Sequence, residues 1–167
     1  GEDISDILDE IFETTGKFLS KKAVPVGSND GIVSGDLLIK TVEPRFLPTG
    51  SIKKNLYDES PVEECGPDLG AVIFDRYVAK KKTWPEESVD RIERSVILRC
   101  IDQNWTKHID TMARLRETIH LRSYANVNPL QDYVNEGYSL FSECLELSSV
   151  DAVLNLVNIQ PKPVEAP

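Results

Sequence analysis

Apolar residues recur along most of this chain at three- and four-residue steps, the period of an α-helix that turns one face inward. The steps are sustained longest after Pro85, through Val89, Ile92, Val96, Ile101, Trp105, Ile109, Met112, Leu115 and Ile119. No Gly and no further Pro interrupts them. Pro85 suits a first helical position, and Glu86, Glu87 and Asp90 behind it face the positive end of the helix dipole. The pattern predicts one helix over 85–120, about 50 Å long. Such a helix cannot bury its own stripe. It needs a partner, and Trp105, at mid-stripe, is expected to lie beneath that partner as a structural keystone.

The partner follows at once. Residues 121–128, LRSYANVN, read as a loop, and Asn128-Pro129 is a helix start with Asn as cap and Pro behind it. Leu130, Tyr133, Val134, Tyr138, Phe141 and Leu145 then share one face of a helix over 129–148. Two matched stripes joined by so short a loop imply an antiparallel helical hairpin. Trp105, His108, Met112, Leu115, Tyr133 and Phe141 are the residues expected to hold it together. A last short helix is expected over 150–159, with Val153, Leu154 and Val157 inward.

Upstream, Ile4, Ile7, Leu8, Ile11 and Phe12 mark a helix over 3–21, with Asp3 or Ser5 as its cap. Leu69, Val72, Ile73 and Tyr77 mark another over 68–82, closed by three lysines. Between them, residues 23–67 are broken by five Gly and five Pro, the last of each at 66 and 67. Pieces such as GIVSGDLLIKTV fit a short hairpin. A bare loop of that length is uncommon in a compact domain, so short helices or strand pieces are expected there. The fold class that results is all-α: a helical unit over 1–84, a hairpin-bearing unit over 85–160, and a Pro-rich tail, PKPVEAP at 161–167, expected to be disordered.

Charge narrows the partners. The net charge of −9 divides into −4 over residues 1–84, zero over 85–128 and −5 over 129–167. A balance this acidic argues against nucleic acid, which demands a basic footprint, and against broad attraction to anionic lipid. Cys65, Cys100 and Cys144 are odd in number and widely spaced. That pattern fits neither a disulfide framework nor a zinc knuckle, and it points to a reducing compartment. No apolar run approaches the roughly 18 residues a membrane span needs. Met112 is the only methionine and the sequence opens on Gly1, so the chain is read as an excised piece of a longer protein.

Catalytic chemistry is sought and not found. A phosphate-cradling loop needs GxxxxGK[ST]; the nearest string, GSIKKN at 50–55, lacks the second Gly-Lys pair. There is no GxSxG elbow. His108 and His120, the only histidines, stand twelve helical residues apart, about 120° around the helix, and cannot share one metal. No catalytic residue, no metal ligand and no cofactor is assigned to this chain. What remains is Tyr124, flanked by Leu121 and Val127 at the end of the hairpin. An aromatic ring there either folds back on the helices or meets a partner.

From residue 91 to about 159 the sequence resembles the scaffold segment of the SecA family, the motors of bacterial and plastid preprotein translocation. The resemblance rests on LRCIDQNWTKHI with Trp105 and His108, on MARLRETIHLRSYANVNP, and on DYVNEGYSLF. DLGAVIFDRYVAKKKTW resembles the helix that precedes this segment in the family's wing domain, and residues 1–21 the lead into that wing. The resemblance implies a helical wing near 1–84 joined to a scaffold piece whose hairpin is the two-helix finger. It implies that the finger reaches the mouth of a SecY-type channel and that its tip, with Tyr124, Leu121, Arg122 and Asn126, touches the unfolded preprotein. It implies contact between the finger and the motor domains of the same chain, restraint of their ATPase, ATP and Mg in the parent only, and a possible parent homodimer. It implies a cytoplasmic protein, peripheral at the inner or thylakoid membrane. The family's basic residue and Asp before the tip proline are replaced here, in Asn126-Val127-Asn128-Pro129, and its two basic residues after the second-helix tyrosine are Val134 and Asn135. Arg122 is then the one basic residue of the tip. Set against this, the residues alone also fit a helical regulatory or protein-binding module unrelated to secretion.

Overall fold

A computed structural model of the chain describes residues 4–125 and 128–160. Among the described residues six helices follow one another: α1 (Ile4–Lys22), α2 (Gly35–Phe46), α3 (Lys54–Tyr57), α4 (Val62–Lys81), α5 (Glu86–Arg122) and α6 (Pro129–Asn158). Among the described residues the only extended pairing is one antiparallel bridge between Ile32 and Pro61. The all-α class expected from periodicity is the class observed. Asp3 and the 161–167 tail lie outside the described residues.

Two elements differ from expectation, and a third resolves an open one. The Gly- and Pro-rich stretch carries short helices, one of the alternatives expected there, and not a hairpin, because local caps outweigh the breakers. Ser34 accepts the amide of Leu37 at 3.4 Å, and the Asp58 carboxylate accepts that of Gly35 at 2.7 Å, so two of the first-turn donors of α2 are satisfied. α4 begins six residues before the expected 68 and contains Pro67. Gly66 precedes that proline, and without a Cβ it escapes part of the clash that normally bars a helical residue there. Finally, the segments expected over 129–148 and 150–159 are one continuous α6. The hydroxyls of Ser148 and Ser149 bond back to the carbonyls of Cys144 and Leu145, at 2.8 and 3.1 Å, which lets a Ser-Ser pair sit inside a helix.

The core forms where α1 crosses α4 and the last turns of α6 lie against α1. Phe12, Leu69, Ile73, Tyr77, Val153 and Leu156 are its fully buried centre; each such side chain contributes about 1.5–3 kcal/mol of transfer free energy. α2 closes one side through Leu38, Val42 and Phe46. The carboxylate of Glu43, itself buried, accepts the amides of Gly50 and Ile52, both at 3.1 Å, and ties the loop after α2 to its own helix.

Candidate functional site

α5 and α6 pack along each other, antiparallel. Their shared core with the rest of the molecule ends at Cys100 on one helix and Val150 on the other. Arg122, the last residue of α5, stands 22 residues beyond Cys100, so the hairpin extends about 30 Å past that core. It is a rod, and its far end is the candidate site.

The end of α5 is closed tightly. Ser123 donates its amide to the carbonyl of Ile119 at 3.0 Å and its hydroxyl to that of His120 at 2.5 Å, and Ala125 donates to Arg122 at 2.9 Å. This closure turns Tyr124 outward. Tyr124 is 85% exposed, and its ring meets that of His120 edge to face, with centroids 6.4 Å apart. Leu121 and Leu130 are exposed beside it. The guanidinium of Arg122 is paired with Glu136 at 2.6 Å, so the one basic side chain of the tip is already committed. Tyr124, Leu121 and Arg122 therefore sit together at one end, as the sequence suggests. Asn126 and Val127 lie outside the described residues.

The residues expected inside the hairpin divide. Leu115 is buried, and His108, Met112 and Tyr133 are half-buried. Trp105 is not the buried keystone expected of it: its side chain is 45% exposed, and Phe141 is 40% exposed. The two rings meet edge to face at 6.3 Å, with the His108 ring 5.2 Å from Trp105 and 5.9 Å from Phe141. The reason is a rotation of one residue. The face of α5 that meets α6 runs through Ile97, Cys100 and Asn104, while Ile101, Trp105 and Ile109, one step or about 100° on, face outward. On α6 the inward positions are equally small: Gly137, Cys144 and Ser148. At Gly137 an added Cβ would come within 2.9 Å of the Met112 methyl.

Small and polar side chains, together with Ile97, Leu115 and Ile119, thus line the seam, and the aromatic residues and several other large apolar ones flank it. Asn104, which was not singled out from the sequence, donates to Asp151 of α6 at 2.8 Å and to the carbonyl of Cys100 at 2.9 Å. Its signal was present: a polar residue in step with Ile97 and Cys100. The flank that results carries Trp105, Ile109, Val134, Tyr138, Phe141 and Leu145, all exposed. Large apolar side chains exposed side by side in this way commonly mark an interaction face.

No described helix is long and apolar enough to cross a membrane. Among the described residues no three His, Cys, Asp or Glu side chains converge as a metal site would require. What the geometry offers is contact: an aromatic tip on a rod and an apolar flank behind it. That arrangement accords with the long scaffold hairpin implied by the sequence. A family model described as the SecA Wing and Scaffold domain matches residues 2–160, and the chain belongs to that family.

Proposed function

We propose that this chain is the finger-bearing part of an ATP-driven preprotein translocase and that Tyr124 is its point of contact with the moving polypeptide. Membership of the SecA wing and scaffold family makes the chain part of a protein-translocating ATPase. The finer reading rests on one observation, the exposed Tyr124 ring at the end of a rod that extends well beyond its own core. An unfolded chain in transit presents no fixed sequence. A broad, rigid aromatic surface with one polar edge suits such a partner, since it gains area from many side chains and orders few bonds of its own.

In this reading residues 1–84 are the wing and 85–160 the finger-bearing scaffold. The tip, with Leu121, Arg122 and Asn126, lies at the mouth of a SecY-type channel. The apolar flank around Trp105 and Phe141 is covered by the motor domains of the same chain, through which the finger restrains ATP hydrolysis. ATP and Mg belong to those motor domains, and this segment supplies no catalytic group. The parent works on the cytoplasmic side of the inner or thylakoid membrane, as a monomer or a homodimer.

A photoreactive residue in place of Tyr124 in the full-length parent tests this. With channel-bearing vesicles and a stalled preprotein, it should cross-link to the preprotein and to the channel, and the same probe at Phe141 should cross-link within its own chain. Cross-links from position 124 only within its own chain would overturn the assignment.

A further inference from the structure

The rod is attached to the rest of the molecule at two places of different chemistry. One is apolar: Val153, Leu156 and Val157, in the last turns of α6, lie in the core beside α1. The other is polar and lies near the start of α5. Glu93 there is only 2% exposed. Its Oε2 accepts the hydroxyl of Tyr77 at 2.5 Å and the ammonium of Lys81 at 3.2 Å, both from α4.

A buried carboxylate is costly unless it is paired and hydrogen-bonded, and here both partners come from one neighbouring helix. Their positions are in turn fixed. Tyr77 is fully buried, stacked on Phe12 of α1 at 5.4 Å and met edge-on by Trp84 at 5.8 Å. The Lys81 ammonium also lies 5.1 Å from the centre of the Tyr77 ring. Apolar packing supports this joint as well: Val96 and Cys100 lie in the core, with Val89 and Ile92 packed against it. α5 packs lengthwise on α6 and meets α4 through few residues, Glu93 among them. An open groove of about 550 Å³, lined by Ile4, Val78, Trp84 and Val89, lies beside the link.

We infer that the Tyr77–Glu93–Lys81 link is an alignment latch: it holds the start of α5 against α4 and so sets the direction of the rod. A rod held only at the end of α6 can pivot there, and a second attachment removes that freedom. At roughly 30 Å from the core, a tilt of about 10° at the base moves the tip by about 5 Å. Glu93 and Tyr77 are thus positioning residues for whatever the tip meets, and the inference stands whether or not the translocation reading does.

The test is a distance measurement between Lys53, on the loop before α3, and Glu117, near the far end of α5, both exposed. Spin labels are carried there on noncanonical residues, so that the three native cysteines stay in place. In the unaltered chain the distribution should be narrow. In Tyr77→Phe and in Glu93→Gln it should broaden at least twofold, while amide exchange in α1 and α4 stays within twofold of the unaltered chain. If Glu93→Gln loses its helicity, Tyr77→Phe decides, since it keeps the ring and its stacking on Phe12. An unchanged distribution in Tyr77→Phe would overturn the latch. So would exchange that rises equally in α1, α4 and α6, which would make the link a stability element without a directional role.

Discussion

Gly16 of α1 and Gly66 of α4 meet so closely that a Cβ on Gly16 would lie 2.2 Å from the Gly66 carbonyl oxygen. Gly70 closes the same crossing, where a Cβ would lie 2.7 Å from the carbonyl oxygen of Phe12. Both obstacles are backbone, which cannot swing aside. Alanine at 16 would gain up to about 1 kcal/mol in helix propensity, yet it must push two helices apart across the main core. Gly16→Ala is expected to lower stability by about 2–3 kcal/mol net, the range for overpacking a dense core. Urea unfolding reads this directly, and a midpoint at or above that of the unaltered chain would mean that the crossing is looser than described.

Trp105 gives the opposite expectation. Truncating a buried Trp costs about 3–5 kcal/mol. Because Trp105 is half exposed and meets mainly Phe141 and His108, Trp105→Ala should cost about half as much in this chain, while Leu156→Ala in the core should cost about 2–5 kcal/mol. Its fluorescence should be that of a partly hydrated indole, separable from the buried Trp84 by a Trp84→Phe variant. Equal losses at 105 and 156 would show that the seam of the hairpin runs beneath Trp105 after all.

That contrast shows what periodicity can convey. The existence and antiparallel pairing of α5 and α6, and the length of α5, were legible because Gly and Pro are absent from the interior of α5 and Asn128-Pro129 marks the turn; the continuity of α6 through Ser148-Ser149 was not. Which side of the stripe faces inward was not. The stripe of α5 is wide enough to serve two surfaces, one against α6 and one outward, and spacing alone cannot rank them. The large residues drew the reading, whereas Cys100, Asn104, Gly137 and Cys144 permit close approach at the seam. In the 23–67 stretch the difficulty was different. Glu43, Asp58 and Ser34 stabilise turns through side chain–backbone bonds, whose partners are up to 23 residues away. No short window reveals such pairs.

Alkali should loosen the fold in a defined order. Burial raises the thiol pKa of Cys65 and of Cys100 above the usual 9.0. Burial, reinforced by donation to Glu93, raises the Tyr77 hydroxyl well above its usual 10.0. In each case the folded state keeps a proton that the unfolded chain releases. The stabilisation is complete below about pH 9 and declines as pH rises, by up to about 1.4 kcal/mol per pH unit for each group once its unfolded form ionises. Lys80, whose pKa burial lowers, acts in the opposite sense. Urea midpoints between pH 8 and 11 should fall from pH 9 and fall faster above 10. Tyr77→Phe should show a shallower decline above 10; an identical slope there would mean that the hydroxyl is solvated.

Tyr124 carries the functional expectation. Its ring has one described aromatic neighbour, His120, and the residue is largely exposed. Replacement of so exposed a residue usually shifts stability by less than about 0.5 kcal/mol, so Tyr124→Ala should melt with the unaltered chain. In the full-length parent it should leave basal ATP hydrolysis nearly unchanged and reduce preprotein transport sharply, whereas Tyr124→Phe or a bulky aliphatic residue should retain much of it. The remaining tip charge should not rescue the alanine variant, because Arg122 is held by Glu136 at 2.6 Å. Freeing that arginine with Glu136→Gln gives the complementary arm. If contact with the polypeptide is made by apolar area, Glu136→Gln should not restore transport to Tyr124→Ala; if the grip is one of charge, it should. Transport into channel-bearing vesicles, measured beside a thermal melt of each variant, separates the cases. An alanine variant that transports at the parent's rate would end the tip assignment, and one that fails only because it melts early would return Tyr124 to a packing role.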